Sequence, residues 1–334
     1  MVNSITDWPG VSNVSTSGSS YTAHDRGDYV EVVIPSGGHI DFTVNDNGSF
    51  ENVLINQEAS GASHRVRTGS TGNPSSNYSV RFVGVTGRHG DDRIAWMVGS
   101  GGSNSIVEHV YLGDGIEGWE PGMRFSGAGG VMAAHGHSGH LVLRGFYLDR
   151  WSDNGIYVTQ QEHPNLSQGM GTFGIEDSYV RRTDHAGFRV AVEGSYVRNC
   201  VAWEITERAM EADAQVSGTP TIVFEDCDAY GIMHPGGLHG GIGLNLSLPP
   251  YEQPVHADLR GDCQFSGEST NVNQQYGSTY SGTYGTNPDH RVPSAAPQSA
   301  EAAASGDLDY DPGDRSFDDP VCVRQFVDVE GMEF

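Results

Sequence analysis

The sequence contains no lysine. All 18 basic residues among its 334 are arginine, against 43 aspartates and glutamates, leaving a formal charge of -25. A soluble chain of this length would carry about twenty lysines at ordinary usage. So little positive charge excludes a nucleic-acid partner, because phosphate recognition needs clustered Lys and Arg. It equally disfavours an anionic membrane surface. Long apolar runs are absent, and none approaches the ~18 residues of a membrane-spanning helix. The opening MVNSITDWPG has no basic n-region, apolar h-region or twin arginine, so it does not read as a secretory signal. With Met1 as the start, the chain is expected to be made in the cytosol and not to leave by those routes. The 4 cysteines include no C-x-x-C pair, which argues against a structural zinc site.

What is present is glycine, 46 residues of it, and a series of short alternating apolar runs separated by Gly, Asn, Asp and Ser. Such runs predict an all-β chain. Aligned, they show one pattern about eight times: apolar, any, small or polar, apolar, any, apolar. The copies are Phe50-Glu51-Asn52-Val53, Phe82-Val83-Gly84-Val85, Val107-Glu108-His109-Val110 and Leu143-Arg144-Gly145-Phe146. They continue as Ile175-Glu176-Asp177-Ser178, Val197-Arg198-Asn199-Cys200, Phe224-Glu225-Asp226-Cys227 and Arg260-Gly261-Asp262-Cys263. Repeats that cannot bury their inward face alone must stack, so like residues should form ladders. The small or Asn/Asp column suits a bend, since these residues tolerate the left-handed conformation.

This pattern resembles the right-handed parallel β-helix superfamily, the pectate-lyase-like and tailspike-like solenoids. The resemblance implies a right-handed parallel β-helix of about eight coils over 29–266, forming a rod roughly 40 Å long at the strand spacing. An arm is expected at 1–28, a low-complexity linker or surface-hugging chain at 267–306, and a capping or docking tail at 307–334. The composition resembles that of haloarchaeal proteins and their viruses. Molar salt shortens the Debye length to about 3 Å and screens the self-repulsion that -25 would cause in dilute buffer.

Cys200, Cys227 and Cys263 share one inward column and read as a buried thiol ladder, with a bridge between adjacent coils as the alternative. His135-Gly-His137-Ser-Gly-His140 reads as surface or loop histidine. Asp153, Asp184 with His185, and Glu207 with Arg208 follow the last apolar column in three successive coils. Stacking would set their carboxylates about 5 Å apart, a separation suited to a retaining glycosidase pair or a calcium-assisted lyase. Asp153, Asp184, His185 and Glu207 are therefore the candidate catalytic residues. The arginine-bearing motifs of the lyases are not recognisable. Trp119, Trp151 and Tyr157, with His234 and His239 of a long insertion, are the candidate glycan-binding residues. Asp307, Asp309, Asp311 and Asp318 form a candidate Ca2+ loop, although Pro312 stands where the sharp-turn glycine belongs.

These observations point to a virion surface protein of a tailed virus of a halophilic archaeon, a spike, fibre or capsid turret. It is expected to contact other virion proteins and host surface glycan or S-layer. The resemblance implies a homo-oligomer, with a trimer favoured. The alternatives are a polysaccharide lyase or glycosidase, and a cell-surface structural protein of the host.

Overall fold

The computed structural model describes residues 11–17 (backbone only), 21–70, 72–90, 94–102, 104–122, 127–158, 171–214, 218–234, 240–247 and 252–306. It is an all-β structure dominated by long sheets of parallel strands. The one helix among the described residues is the short Ala300–Ser305.

The chain passes back and forth between two sheets. The first runs, in spatial order, through Val11–Ser17, His39–Val44, Ser63–Ser70, Trp96–Val98, Val131–Ala133, Ile156–Val158, Ala186–Val190, Arg208–Ala212, Ile242–Leu246 and Thr270–Gln274. The second begins with Thr22–Asp25, Val30–Val33, Ser49–Asn56, Ser79–Thr86, Ser105–Leu112 and His140–Trp151. There it divides. The first half of His140–Trp151 pairs with Thr172–Glu176 and its second half with Tyr179–Thr183. One branch continues through Tyr196–Arg198, Thr221–Glu225, His256–Arg260 and Thr279–Ser281. The other continues through Val201–Ile205, Asp228–Gly231 and Gln264–Gly267. At the N-terminal end two antiparallel pairs begin the sheets, Val11–Ser17 with His39–Val44 and Thr22–Asp25 with Val30–Val33. Parallel pairing continues past residue 266, through Thr270–Gln274 and Thr279–Ser281.

Period-2 alternation decides which side chains are buried. Phe50, Val80, Val107, Leu143, Ile175, Val197 and Phe224 form one inward column, all at 0% exposure, and Leu259 ends it. Two copies of the repeat are therefore registered differently from the sequence alignment. Ser79–Thr86 pairs Val80 with Phe50, two residues earlier than expected; a slip of two keeps the same face inward, which hid it in the pattern. In the last copy Leu259, not Arg260, follows Phe224 in the column. Asp262 is then an extra residue before Cys263, because Asp228 pairs with Gln264.

The expected bend is present. It falls on Asn52, His109, Gly145, Asp177, Asn199 and Asp226 as expected, and on Phe82 and Gly261 in place of Gly84 and Asp262; all eight have positive φ, between 48° and 62°. For residues other than glycine this conformation costs about 1 kcal/mol or more. The cost is offset along the stack. The Asn199 amide donates to Asp177 Oδ1 at 2.6 Å, Asp226 Oδ1 accepts from the Asp262 N–H at 2.9 Å, and the Phe82 and His109 rings stack 5.2 Å apart.

The same column is the track of a strap. Residues 287–306 run back along the outer face of the second sheet toward its N-terminal end. Arg291 donates to Asn199 Oδ1 at 2.7 Å and to the Asp226 carbonyl at 3.3 Å. The His290 ring stacks on Trp203, 4.5 Å between centroids. The Ala295 carbonyl accepts from His109 Nδ1 at 3.0 Å, and the Ala304 carbonyl from Asn52 at 3.1 Å. Gly84 is required here: a Cβ on it would stand 1.8 Å from the Ala300 carbonyl oxygen. Ser299 caps the helix, accepting from the Ala302 N–H, and Gly306 ends it in the left-handed conformation.

Just before the bend, the outward column reads Glu51, Arg81, Glu108, Arg144, Glu176, Arg198, Glu225, Arg260, strict alternation of sign in stacked register. Arg81 lies 2.9 Å from Glu108, Arg144 2.7 Å from Glu176, and Arg198 2.8 Å from Glu225. Burial would raise the Glu176 carboxyl, but Arg144, the Tyr196 hydroxyl and Arg198 outweigh it and hold it below the usual range. The thiols of Cys200, Cys227 and Cys263 are free and buried. Each faces a carbonyl of the preceding rung, with burial pushing their pKa values up, so the ladder reading applies and the bridge does not. His137 is not a surface histidine. It is buried, its Nδ1 accepts from the Ser100 N–H at 2.9 Å, and its Nε2 donates to the Thr172 carbonyl at 3.0 Å.

Replacing Glu176 by Gln removes the charge shared by Arg144 and Arg198 while each keeps another carboxylate. The expected cost is about 2 kcal/mol, below that of breaking an isolated buried pair. Because Glu176 is only 2% exposed, the loss should persist in molar KCl. Denaturant unfolding of both chains at low and high salt measures it, and a loss that vanishes at high salt would mark the ladder as a screened surface feature.

Candidate functional site

The corner entering the first sheet gathers ionisable side chains from consecutive circuits. Asp184 follows Tyr179–Thr183, and its N–H bonds the Trp151 carbonyl at 3.1 Å. Arg208 opens the next circuit's strand, its N–H bonding the His185 carbonyl at 3.0 Å. Asp153 stands one circuit before. Backbone stacking thus sets Asp153, Asp184–His185 and Glu207–Arg208 in a row. The three carboxyls are close enough that Glu207 and Asp153 both act on Asp184.

Asp184 is the distinctive group. Its Oδ1 accepts from the Gly122 N–H at 2.9 Å and the Thr206 hydroxyl at 3.3 Å. Its Oδ2 is buried without a hydrogen-bond partner among the described residues. Burial is the main cause that raises its pKa to about 6, the two hydrogen bonds oppose the rise, and the negative charges of Glu207 and Asp153 add to it. His185 Nδ1 lies 2.9 Å from Glu207 Oε2, and its Nε2 lies 2.5 Å from Arg208 Nη2. Arginine can only donate, so Nε2 accepts and the ring proton sits on Nδ1, facing Glu207.

A second row continues on the outer face of the first sheet: Tyr157, Arg189, Glu211, Asn245 and Asn273 in register. The Arg189 guanidinium lies 4.6 Å above the Tyr157 ring and contacts Glu211 at 3.1 Å and Asp213 at 2.5 Å. Arg208 Nε meets the other oxygen of Glu211 at 2.7 Å. Burial would raise Glu211, but Arg189 and Arg208 together hold it low. In Asp213, burial outweighs the single arginine and its pKa is raised. Arg208, Glu211 and Asp213 have 0% exposure. The sequence pattern does not mark Arg189, Glu211 or Asp213. The repeat motif lies in the second sheet; the register of the first sheet, which stacks Glu211 on Arg189 with Asp213 two residues beyond Glu211, has no matching motif.

The structure joins two groups that the sequence kept apart. Gly122, held by Asp184, packs against the His234 ring so closely that a Cβ would fall 2.1 Å from Nδ1. His234 therefore belongs with Asp184 and not to a separate patch. The aromatic candidates fare differently. Trp151 is a core residue at 1% exposure whose Nε1 donates to the Leu112 carbonyl at 3.2 Å, so it offers no face to a sugar. Trp119 is half-buried against the core, and Tyr157 lies under Arg189. His239, and Asp307, Asp309, Asp311 and Asp318, lie outside the described residues. Among the described residues no group of three or more His, Cys, Asp or Glu side chains is placed to hold a metal ion.

The chain matches no protein-family model and no curated protein. The chemistry of this corner therefore has to be read from its own geometry. It offers a carboxyl that exchanges its proton near neutrality, a histidine of fixed tautomer and two buried arginines. Such a set can donate to and accept from the hydroxyls of a polar ligand.

A carboxyl whose pKa is raised on folding destabilises the fold wherever it is ionised. The cost of Asp184 is full above pH ~6, shrinks as the pH falls, and is gone below the unfolded value near 4. Asp184→Asn is therefore expected to be more stable than wild type by about 1–3 kcal/mol at pH 8. The difference should disappear by about pH 4. Denaturant titrations from pH 4 to 8 check this, and a variant less stable at pH 8 would show that the ionised form is the favoured one.

Proposed function

We propose that the chain is a right-handed parallel β-helix of the pectate-lyase-like and tailspike-like kind, and that it is a structural protein of a virion surface. In this reading it is a spike, fibre or turret of a tailed virus of a halophilic archaeon, facing host surface glycan or S-layer. The observation that carries the reading is the construction of the body. Parallel strands stack in register from Val30 to Ser281, a charge ladder alternates in sign along them, and a strap binds successive rungs on the outside. Such a body is stiff along its length, which suits projection and display. The absence of lysine and the charge of -25 support a salt-rich setting. The corner at Asp184, His185, Glu207 and His234 supplies polar groups for a glycan. Mass spectrometry and antibody labelling of purified halophilic virions test the reading: the chain is expected among the surface proteins, and particles that carry none of it would overturn the assignment.

A second reading has one specific observation in its favour. Asp184 holds a proton near pH 6 beside Glu207 and Asp153, which is the property a general acid needs for cleaving a glycosidic bond. If the chain cleaves host exopolysaccharide, Asp184→Asn should lower the rate by a factor of 100 or more with the fold intact. Equal release of reducing ends by both chains would remove this reading.

A further inference from the structure

The two ends of the sheets are built differently. At the N-terminal end each sheet begins with an antiparallel pair. At the other end one branch of the second sheet stops on Gln264–Gly267, whose outer edge is bridged by Gly285, and the sheets otherwise stop on two parallel strands, Thr270–Gln274 and Thr279–Ser281. Among the described residues each of these pairs on one side only. Among the described residues no strand adds to their outer edges, and the N–H and C=O groups of such an edge are the template on which another strand adds.

The side chains of this last circuit also break the rule followed above it. Val272 stacks on Leu244 and Tyr280 on Ala257, both inward positions at 0% exposure, yet Val272 is only half-buried and Tyr280 is 36% exposed. Tyr276 and Tyr280 are two of the three exposed large hydrophobic side chains among the described residues. Residues 269–288, which include both of these strands, carry no charged side chain in a chain of net charge -25.

We propose that this end is an interface between two copies of the chain, meeting end to end about a two-fold axis with Thr270–Gln274 paired antiparallel to itself. The charge argument selects a second copy. Two such anionic bodies repel over most of their surfaces, and an uncharged end is where they can approach without like charges meeting. The edge is also self-complementary, as a two-fold contact requires. Centred on Val272, antiparallel pairing sets Val272 opposite its own copy, Asn271 opposite the second copy's Asn273, and Thr270 opposite the second copy's Gln274. The β-helix resemblance suggests a trimer; the end geometry instead gives a pair.

Sedimentation equilibrium and small-angle scattering of the full chain in molar KCl test the proposal. A dimer with a maximum dimension close to twice that of the monomer is expected, weakening as salt is lowered to about 0.1 M because screening is lost. Tyr276→Asp should weaken it about tenfold or more. Tyr276 has φ 52°, which aspartate tolerates at least as well as tyrosine, so the circular dichroism should not change. His24→Asp, on the exposed strand Thr22–Asp25 at the opposite end, should leave the dimer intact. A monomer, a trimer, or a dimer insensitive to Tyr276→Asp but lost with His24→Asp would overturn the proposal.

Discussion

Once in every circuit the second sheet is turned by a residue held at positive φ, and much of the molecule is arranged around that turn. The residues doing this are mostly not glycine, so the turn has to be held by what lies beside it. Hydrogen bonds along the column, from Asn199 to Asp177 and from Asp262 to Asp226, supply part of the restraint. The strap supplies the rest, because the turned residues present the groups it binds: Asn52, His109, Asn199 and the Asp226 carbonyl. The glycines that lie under it, Gly84 and Gly145, leave room where a Cβ would collide.

The charge ladder works on the same spacing. Its pairs form between residues more than twenty positions apart, so they contribute only once the rungs are stacked. Alternation of sign makes them selective as well as attractive. A misplacement by one rung would set Glu against Glu and Arg against Arg along the whole column, a penalty that a uniform apolar core does not impose. In molar salt exposed pairs are screened, whereas Glu108 and Glu176, each 2% exposed, keep their interaction.

The corner at Asp184 lies outside this economy of self-satisfaction. The ladder carboxylate Glu176 is held below its usual range by two arginines and a tyrosine hydroxyl, but Asp184 is raised to about 6 and leaves one buried oxygen without a partner among the described residues. The ionised form of this acid costs stability, while its Oδ1 fastens Gly122, which packs against the His234 ring.

The sequence by itself determined the all-β class, the bend column and the inward thiols, because period-2 alternation and left-handed tolerance are local properties. It also placed Asp153, Asp184 and Glu207 in successive circuits. It could not decide register: a copy displaced by two residues keeps its polarity, which hides Val80 behind Phe82, and the one extra residue before Cys263 sets Arg260 where Leu259 belongs. Only the tertiary structure brought His234 to Gly122, buried Trp151 and set Arg189 between Glu211 and Asp213. These contacts join residues from different circuits or loops, and nothing in a local pattern carries the distance between them.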